Sequence, residues 1–205
     1  MVEGSVYYRR AVGGLRVAAR AGGGYAFFSG KRKFLATGAA DTATTSWGGF
    51  FFDGHALLAY EQRFGRFYAR PELTADFFRL DEGAHAETGG GDGFDLALAK
   101  RNSSRLSGQA VMVLGAQWGK ANWLRTEVHG GYREVLSGSI GDTVASFAGG
   151  DPFTMSAENS RGGWATFGVS IKAGSQYSYL ALEGDAEMRT GERQYNVRIA
   201  GRSIF

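Results

Sequence analysis

A chain of 205 residues has room for one core or one barrel, and a net charge of +3 from 23 basic and 20 acidic residues excludes a polyanionic tail and argues against a nucleic-acid surface. The absence of cysteine excludes a disulfide scaffold, Cys-ligated zinc or iron–sulfur clusters and a thiol nucleophile. Thirty-three glycines against two prolines are about twice the ordinary glycine share, without the proline or the three-residue period of collagen.

No apolar run reaches the roughly 18 residues of a membrane-spanning helix, and the N-terminal MVEGSVYYRR has no basic region followed by an apolar stretch. Neither a spanning helix nor a signal peptide is therefore expected in this chain. A transmembrane strand needs only about 9 to 11 residues, and alternation of outward apolar with inward polar side chains keeps mean hydropathy low.

Taken in chain order, a first strand is expected over residues 4–11. Residues 15–28 put Leu15, Val17, Ala19, Ala21, Gly23, Tyr25 and Phe27 on one face, opposite Arg16, Ala18, Arg20, Gly22 and Gly24. A helix would scatter the arginines around its circumference, whereas a strand separates the two sets. Residues 47–60 place Phe50, Phe52, Ala56, Leu58 and Tyr60 together. Residues 66–78 place Phe67, Leu73 and Phe77 opposite Tyr68, Arg70, Glu72 and Asp76. Over residues 93–118 the apolar positions stay even-numbered throughout, which predicts a single long strand. Residues 123–134 set Leu124, Val128 and Tyr132 opposite Arg125, Glu127, His129 and Arg133. Three further strands follow at 164–172, at 176–187 with Leu180 and Leu182 opposite Glu183 and Asp185, and at 193–205 with Val197 and Ile199 opposite Arg198 and Arg202.

The pattern predicts an all-β, antiparallel transmembrane barrel wall of about nine strands forming a single domain over residues 1–205. Aromatic residues at the ends of the apolar faces match a membrane-interface girdle. Short turns at 13–14, 61–65, 119–122 and 173–176 alternate with long connections at 29–46, 81–92 and 136–161. A closed barrel of this class has an even strand number with both chain ends on the periplasmic side, so three strands are expected to be missing from the front.

Arg16, Arg20, Arg70, Glu72, Arg125, Glu127, Arg133, Glu183, Asp185, Arg198 and Arg202 are expected to face a water-filled lumen as paired charges. His55, His85 and His129 have no metal spacing, no serine sits in a nucleophile-elbow context, and the glycine clusters at 22–24 and 89–91 precede no helical pattern. No catalytic, cofactor or metal site is expected, and the protein is not expected to be an enzyme.

Several segments in sequence order resemble the translocator domain of autotransporters, the type V secretion family. GLRVAARAGGGYAFFSGKR is similar to a glycine-bearing strand of that family, and FYARPELTADFFRL to its aromatic–Pro–Leu strand. In HAETGGGDGFDLAL, Glu87 and Gly89 match a Phe-x-Glu-x-Gly element in which His85 replaces the phenylalanine. SFAGGDPFTM matches a later element through Phe147, Gly149, Gly150 and Phe153. Phe205 matches the terminal assembly signal, with Ser203 departing from the apolar residue usual two positions earlier. The resemblance implies a barrel of about twelve strands in the bacterial outer membrane, surrounded by outer-membrane lipids and recognised by the barrel-assembly machinery. It also implies a covalently attached passenger in full-length relatives, so the chain is expected to be an N-terminally incomplete translocator. The alternative is a stand-alone small outer-membrane porin or adhesin.

Overall fold

The computed structural model describes residues 1–36, 39–91, 93–157, 162–175 and 177–203, and Phe205 therefore lies outside the described residues. Among the described residues there are fourteen strands: β1 Val2–Val12, β2 Leu15–Ala36, β3 Ala39–Tyr60, β4 Gln62–Phe64, β5 Phe67–Glu82, β6 His85–Ala86, β7 Leu96–Leu98, β8 Arg101–Trp118, β9 Leu124–Ser139, β10 Thr143–Phe147, β11 Phe153–Met155, β12 Gly163–Gly174, β13 Tyr179–Arg189 and β14 Glu192–Arg202. The described residues hold one short 3₁₀ turn, Lys120–Asn122, and no helix long and apolar enough to cross a membrane.

Nine of these strands form a single antiparallel sheet in the order β1-β2-β3-β5-β8-β9-β12-β13-β14, with β4 pairing alongside β5. Each of the nine pairs the next of the nine along the chain, so the sheet is an antiparallel meander. Because paired residues share a face, the registers assign every position. Leu15 lies opposite Tyr60, Leu58 opposite Leu73, Leu73 opposite Ala110 and Ala110 opposite Tyr132. On β12 and β13, Val169 lies opposite Val128 and Ile171 opposite Leu182.

One face is consequently apolar. Phe50, Phe52, Leu73, Leu114, Val128, Phe167, Leu182, Val197 and Ile199 are all exposed on it. On β5 the apolar series runs over residues 67–77 before Arg79 begins the charged end, a length of about 25 Å at ordinary strand rise and tilt. The opposite face is polar and concave. Its concavity follows from the side chains that meet across it: Arg70 on β5 reaches Glu127 on β9 over the intervening β8, and Arg125 on β9 reaches Glu61 beyond the end of β3.

A second sheet of four short strands, in the order β11-β10-β7-β6, caps the end that carries the long connections. It joins the main sheet through the bridge between Thr44 and Thr88 and through stacking of His85 on Trp47.

Three expectations are corrected here. Residues 29–46 are not a loop, because β2 and β3 stay paired from Leu15 opposite Tyr60 to Ala36 opposite Ala39. Their alternation Lys31, Lys33, Leu35 against threonine-rich 42–45 suits a strand pair as well as it suits solvent. Residues 93–118 are not one strand. The chain breaks at Ala99 and Lys100, so that β7 joins the small sheet and β8 alone enters the main one. An even-numbered apolar phase survives a break of two residues, which is why periodicity does not reveal it. Finally, the connections over 81–92 and 136–161 contain β6, β10 and β11.

Candidate functional site

The concave face carries its charge in three groups. The first lies at the end of the sheet with short turns, where Glu61 sits between β3 and β4. Pro71 explains its exposure to partners: lacking an N–H, it cannot continue the ladder, and the β3–β5 pairing stops at Ala59 opposite Glu72 before resuming at Gln62 opposite Ala69. The register is unchanged across this gap, so Glu61 lies level with Arg70 and points to the same side.

Four arginines converge on it. Arg16 Nη2 lies 2.5 Å from Glu61 Oε2, Arg63 Nη2 2.8 Å from Oε1, Arg125 Nη2 3.4 Å and Arg70 Nη1 3.5 Å from Oε2. Arg70 also pairs with Glu72 and with Glu127, the latter at 3.0 Å. Arg125 pairs with Glu127 at 2.8 Å. The Tyr68 hydroxyl donates to Glu127 Oε1 at 2.5 Å and accepts from Arg125 Nε at 2.6 Å.

Tyr68 reaches Glu127 only because Gly115 stands between them on β8. Gly115 is opposite both residues, and a Cβ there would overlap the Tyr68 ring. The same construction recurs farther along the concave face. His129 Nε2 on β9 lies 3.3 Å from Asp185 Oδ1 on β13 across Gly168 of β12, where a Cβ would strike both side chains.

The second group lines a groove of about 610 Å³ along the middle of the face. It includes Arg20, Asp53, His55, Asp76, Phe78, Arg105 and Arg133. Arg20 pairs with Glu3 and, at 3.3 Å, with Asp53. His55 lies 2.7 Å from Asp76, and Arg133 2.8 Å from Glu187. Toward the β14 edge Glu183 and Arg198 face each other at 2.7 Å, and Arg202 sits opposite Tyr179.

The third group holds the connections. Arg32 Nη2, on the extension of β2, lies 2.5 Å from Glu87 Oε2 and donates also to the Phe94 carbonyl, while the Leu96 amide donates to Glu87 at 3.1 Å. The hydrogen bond from Arg32 holds the Glu87 carboxyl below its ordinary value against the opposing effect of burial. Gly89, beside it, has φ +93, and the Thr42 carbonyl stands close to where its Cβ would be. Phe147 and Phe153, at the ends of β10 and β11, pack with ring centroids 5.9 Å apart. Glu87 and Gly89 thus lie where the small sheet is pinned to β2 and β3, and Phe147 and Phe153 hold its other side.

All eleven charges singled out in the sequence lie on the concave side of the registers. Alternation inside the apolar strands does not single out Glu61, Arg63 and Tyr68, three centres of the densest network. Glu61 continues the odd-numbered concave series Asp53, His55, Leu57 and Ala59, so carrying the period one step past Tyr60 is the signal that finds it. Among the described residues no group of His, Asp and Glu side chains is close enough to hold a metal ion.

A charged concave face, an apolar convex face and a meander of nine strands in sequence order form the frame on which the ordered sequence motifs sit. The Autotransporter beta-domain family matches residues 2–187. The chain belongs to this family. Its match spans from β1 into β13, so it covers the turn-end network, the middle groove and the pinned connections together. The autotransporter β-domain is a translocator barrel integral to the bacterial outer membrane, and the antiparallel sheet described here is that type of fold. No curated protein matches the chain.

The Glu61 side chain is only 4% exposed, whereas Arg63 is 56% exposed. Replacing Glu61 with Gln should destabilise the sheet by about 2 to 3 kcal/mol, because Arg70 and Arg125 keep only Glu72 and Glu127 as counter-charges. Arg63→Gln should cost less than about 1 kcal/mol. Denaturant unfolding followed by tryptophan fluorescence measures both, and equal costs would show that Glu61 is not the centre.

Glu87 gives a pH prediction. With its folded pKa below the ordinary 4.5, its contribution is complete above that value and is lost as pH falls through the lower folded value. Intrinsic-rate-corrected exchange of the Leu96 amide should be flat from neutral pH to about 5 and accelerate below about 4.5. Glu87→Gln should abolish that dependence.

Proposed function

We propose that this sheet is the lipid-embedded wall of an outer-membrane translocator, with its convex face against acyl chains and its concave charges, including all eleven named from the sequence, lining an aqueous lumen that holds an exported polypeptide. The observation that carries this reading is the segregation of charge. The convex series of β5 from Phe67 to Phe77, of β8 from Leu106 to Trp118, of β12 from Ala165 to Ala173 and of β13 from Leu180 to Met188 contain no ionised side chain, whereas the concave series of the same strands carry Arg70, Glu72, Asp76, Arg105, Lys172, Glu183, Asp185 and Glu187. Hydrocarbon penalises an outward charge and a lumen tolerates an inward one, so the pattern fits a bilayer better than it fits water on both sides.

Passenger transit needs a surface that is polar without being sticky. Most concave charges are already paired within the wall, which lowers the attraction any one of them offers to a passing chain. Arg105, for which no carboxylate lies within ion-pair range among the described residues, offers a polypeptide backbone or acidic side chain a temporary partner in the middle groove.

The edges support further strands as part of the wall. Among the described residues β1 pairs only with β2 and β14 only with β13. Eight antiparallel pairings leave β1 and β14 running the same way, so direct closure of one on the other would be parallel. An odd number of further strands, in the same polypeptide or another, closes the cylinder antiparallel and removes both edges from lipid. The barrel-assembly machinery fits as the partner that holds those edges before closure.

Two measurements test the reading. The chain contains no cysteine, so single cysteines carrying spin labels at Leu73 and Val128 on the convex face and at Glu72 and Glu127 on the concave face are straightforward in lipid vesicles. The first pair should respond to molecular oxygen and the second to a water-soluble nickel chelate, and swapped accessibilities would end the reading. Leu182→Lys should cost roughly 2 to 4 kcal/mol near the midplane, against less than about 1 kcal/mol for Glu183→Gln.

A further inference from the structure

The convex face carries cations only toward its ends, and one of them is held in an unusual way. Arg66 lies in the turn between β4 and β5. Its guanidinium carbon stands 4.3 Å over the Trp118 ring and 4.8 Å over the Phe67 ring, and the two rings meet edge to face at 6.5 Å. The backbone fixes this arrangement, since the Gln117 amide donates to the Arg66 carbonyl at 2.9 Å. Trp118 is oriented in turn by donating from Nε1 to Thr126 Oγ1 at 3.3 Å.

Most arginines of the sheet are paired with carboxylates, but among the described residues none lies within ion-pair range of Arg66. A guanidinium held over aromatic faces without a carboxylate partner keeps N–H donors free for an anion. The neighbouring turn adds Trp123, whose indole packs so closely on Gly119 that a Cβ there would overlap it, and Lys120 is exposed beside it. Tyr60, Phe64 and Phe67, all exposed, extend the apolar surface below the guanidinium.

We propose that Arg66, Phe67, Trp118 and Trp123 form a headgroup site for an anionic glycerophospholipid of the leaflet at the turn end, an inference that rests on the outer-membrane reading. The phosphodiester receives two parallel N–H···O bonds from the Arg66 fork, a geometry that suits phosphate. Its glycerol and acyl chains lie against Phe64, Phe67 and the convex residues of β8, while the tryptophan rings sit at headgroup level. Free phosphate has no use for the apolar half of this surface, which is the reason to assign a lipid. Short turns belong to the periplasmic side in barrels of this class, so the leaflet is the inner one.

Native mass spectrometry of the protein in detergent micelles doped with dioleoylphosphatidylglycerol reads the site directly. One retained lipid is expected for the unaltered chain, and Arg66→Gln should lower the retained fraction roughly fivefold, the worth of one basic residue at an anionic surface. Arg66→Lys should retain an intermediate fraction, because the ammonium lacks the fork. Arg193→Gln, which removes the same charge from the other end of the convex face, should change nothing. Equal retention by the Arg66 and unaltered chains, equal loss from Arg66 and Arg193 variants, or displacement of the lipid by excess inorganic phosphate would each overturn the site. Quenching of a fluorophore at Leu73 by brominated acyl chains separates the two levels of the argument. Its absence ends the membrane reading and the site with it, whereas quenching with Arg66-independent retention ends the site alone.

Discussion

Hydrocarbon offers no hydrogen-bond partner, and this constraint shapes every other feature of the chain. A sheet placed in it has to pair its backbone laterally and present apolar side chains outward, which confines ionised groups between the ends of the wall to the inner face. That confinement is visible as alternation along each strand, and its consequence is crowding. Arg16, Arg63, Arg70 and Arg125 share Glu61, and Arg70 and Arg125 share Glu127, because the curvature of the sheet brings strands that are not neighbours within reach of one another.

Glycine is the means by which these contacts become possible. Where two side chains in register meet directly over an intervening strand, the residue between them is glycine at two places on this face. Gly115 lies under Tyr68 on the way to Glu127 and Gly168 between His129 and Asp185, while at Gly22 a Cβ would strike the Asp53 carboxylate. Each strand of the pair sees the glycine as the low point in the wall. The glycine excess that separates this composition from that of an ordinary domain is therefore partly a record of inward side chains that need to cross a strand.

Period two makes the main sheet readable from the amino-acid sequence, since Leu15 through Phe27, Phe67 through Phe77 and Leu124 through Tyr132 alternate without a slip. The strand count and the antiparallel order follow from it, and the family match over residues 2–187 agrees with the order of the motifs. What period two cannot report is where a strand stops being part of a given sheet. β2 and β3 continue pairing beyond the apolar band because lysines and threonines alternate there too, and the break at Ala99 and Lys100 preserves the phase of the series it interrupts. The turn-end network is legible only in part for a related reason. Arg70, Glu72, Arg125 and Glu127 stand out as charges inside apolar strands, whereas Glu61 and Arg63 stand among turn residues, where charge is ordinary. Alternation puts Tyr68 on the polar face but says nothing of its role, which depends on Gly115, forty-seven positions away in sequence and opposite it in the sheet.

The distribution of contacts across the wall bears on how it is completed. The buried positions of the wall, such as Phe51 and Ala59 on β3, Tyr68 and Arg70 on β5, Val113 and Ala116 on β8, Trp164 and Thr166 on β12 and Ala181 on β13, lie on its interior strands, whereas every residue of β1 is exposed and nearly every residue of β14 is. The interior strands are cross-linked by charge over distances of two strands, and the edge strands are held by one neighbour each. Val6, Val197 and Ile199 show the result, each 73% exposed although they belong to the apolar series. Pairing a further strand against either edge would satisfy its row of backbone groups without disturbing the Glu61 network, because that network draws on β2, β4, β5 and β9 and on neither edge. The wall is thus stiff in the middle and open at its margins, an arrangement in which closure adds to the sheet instead of rebuilding it.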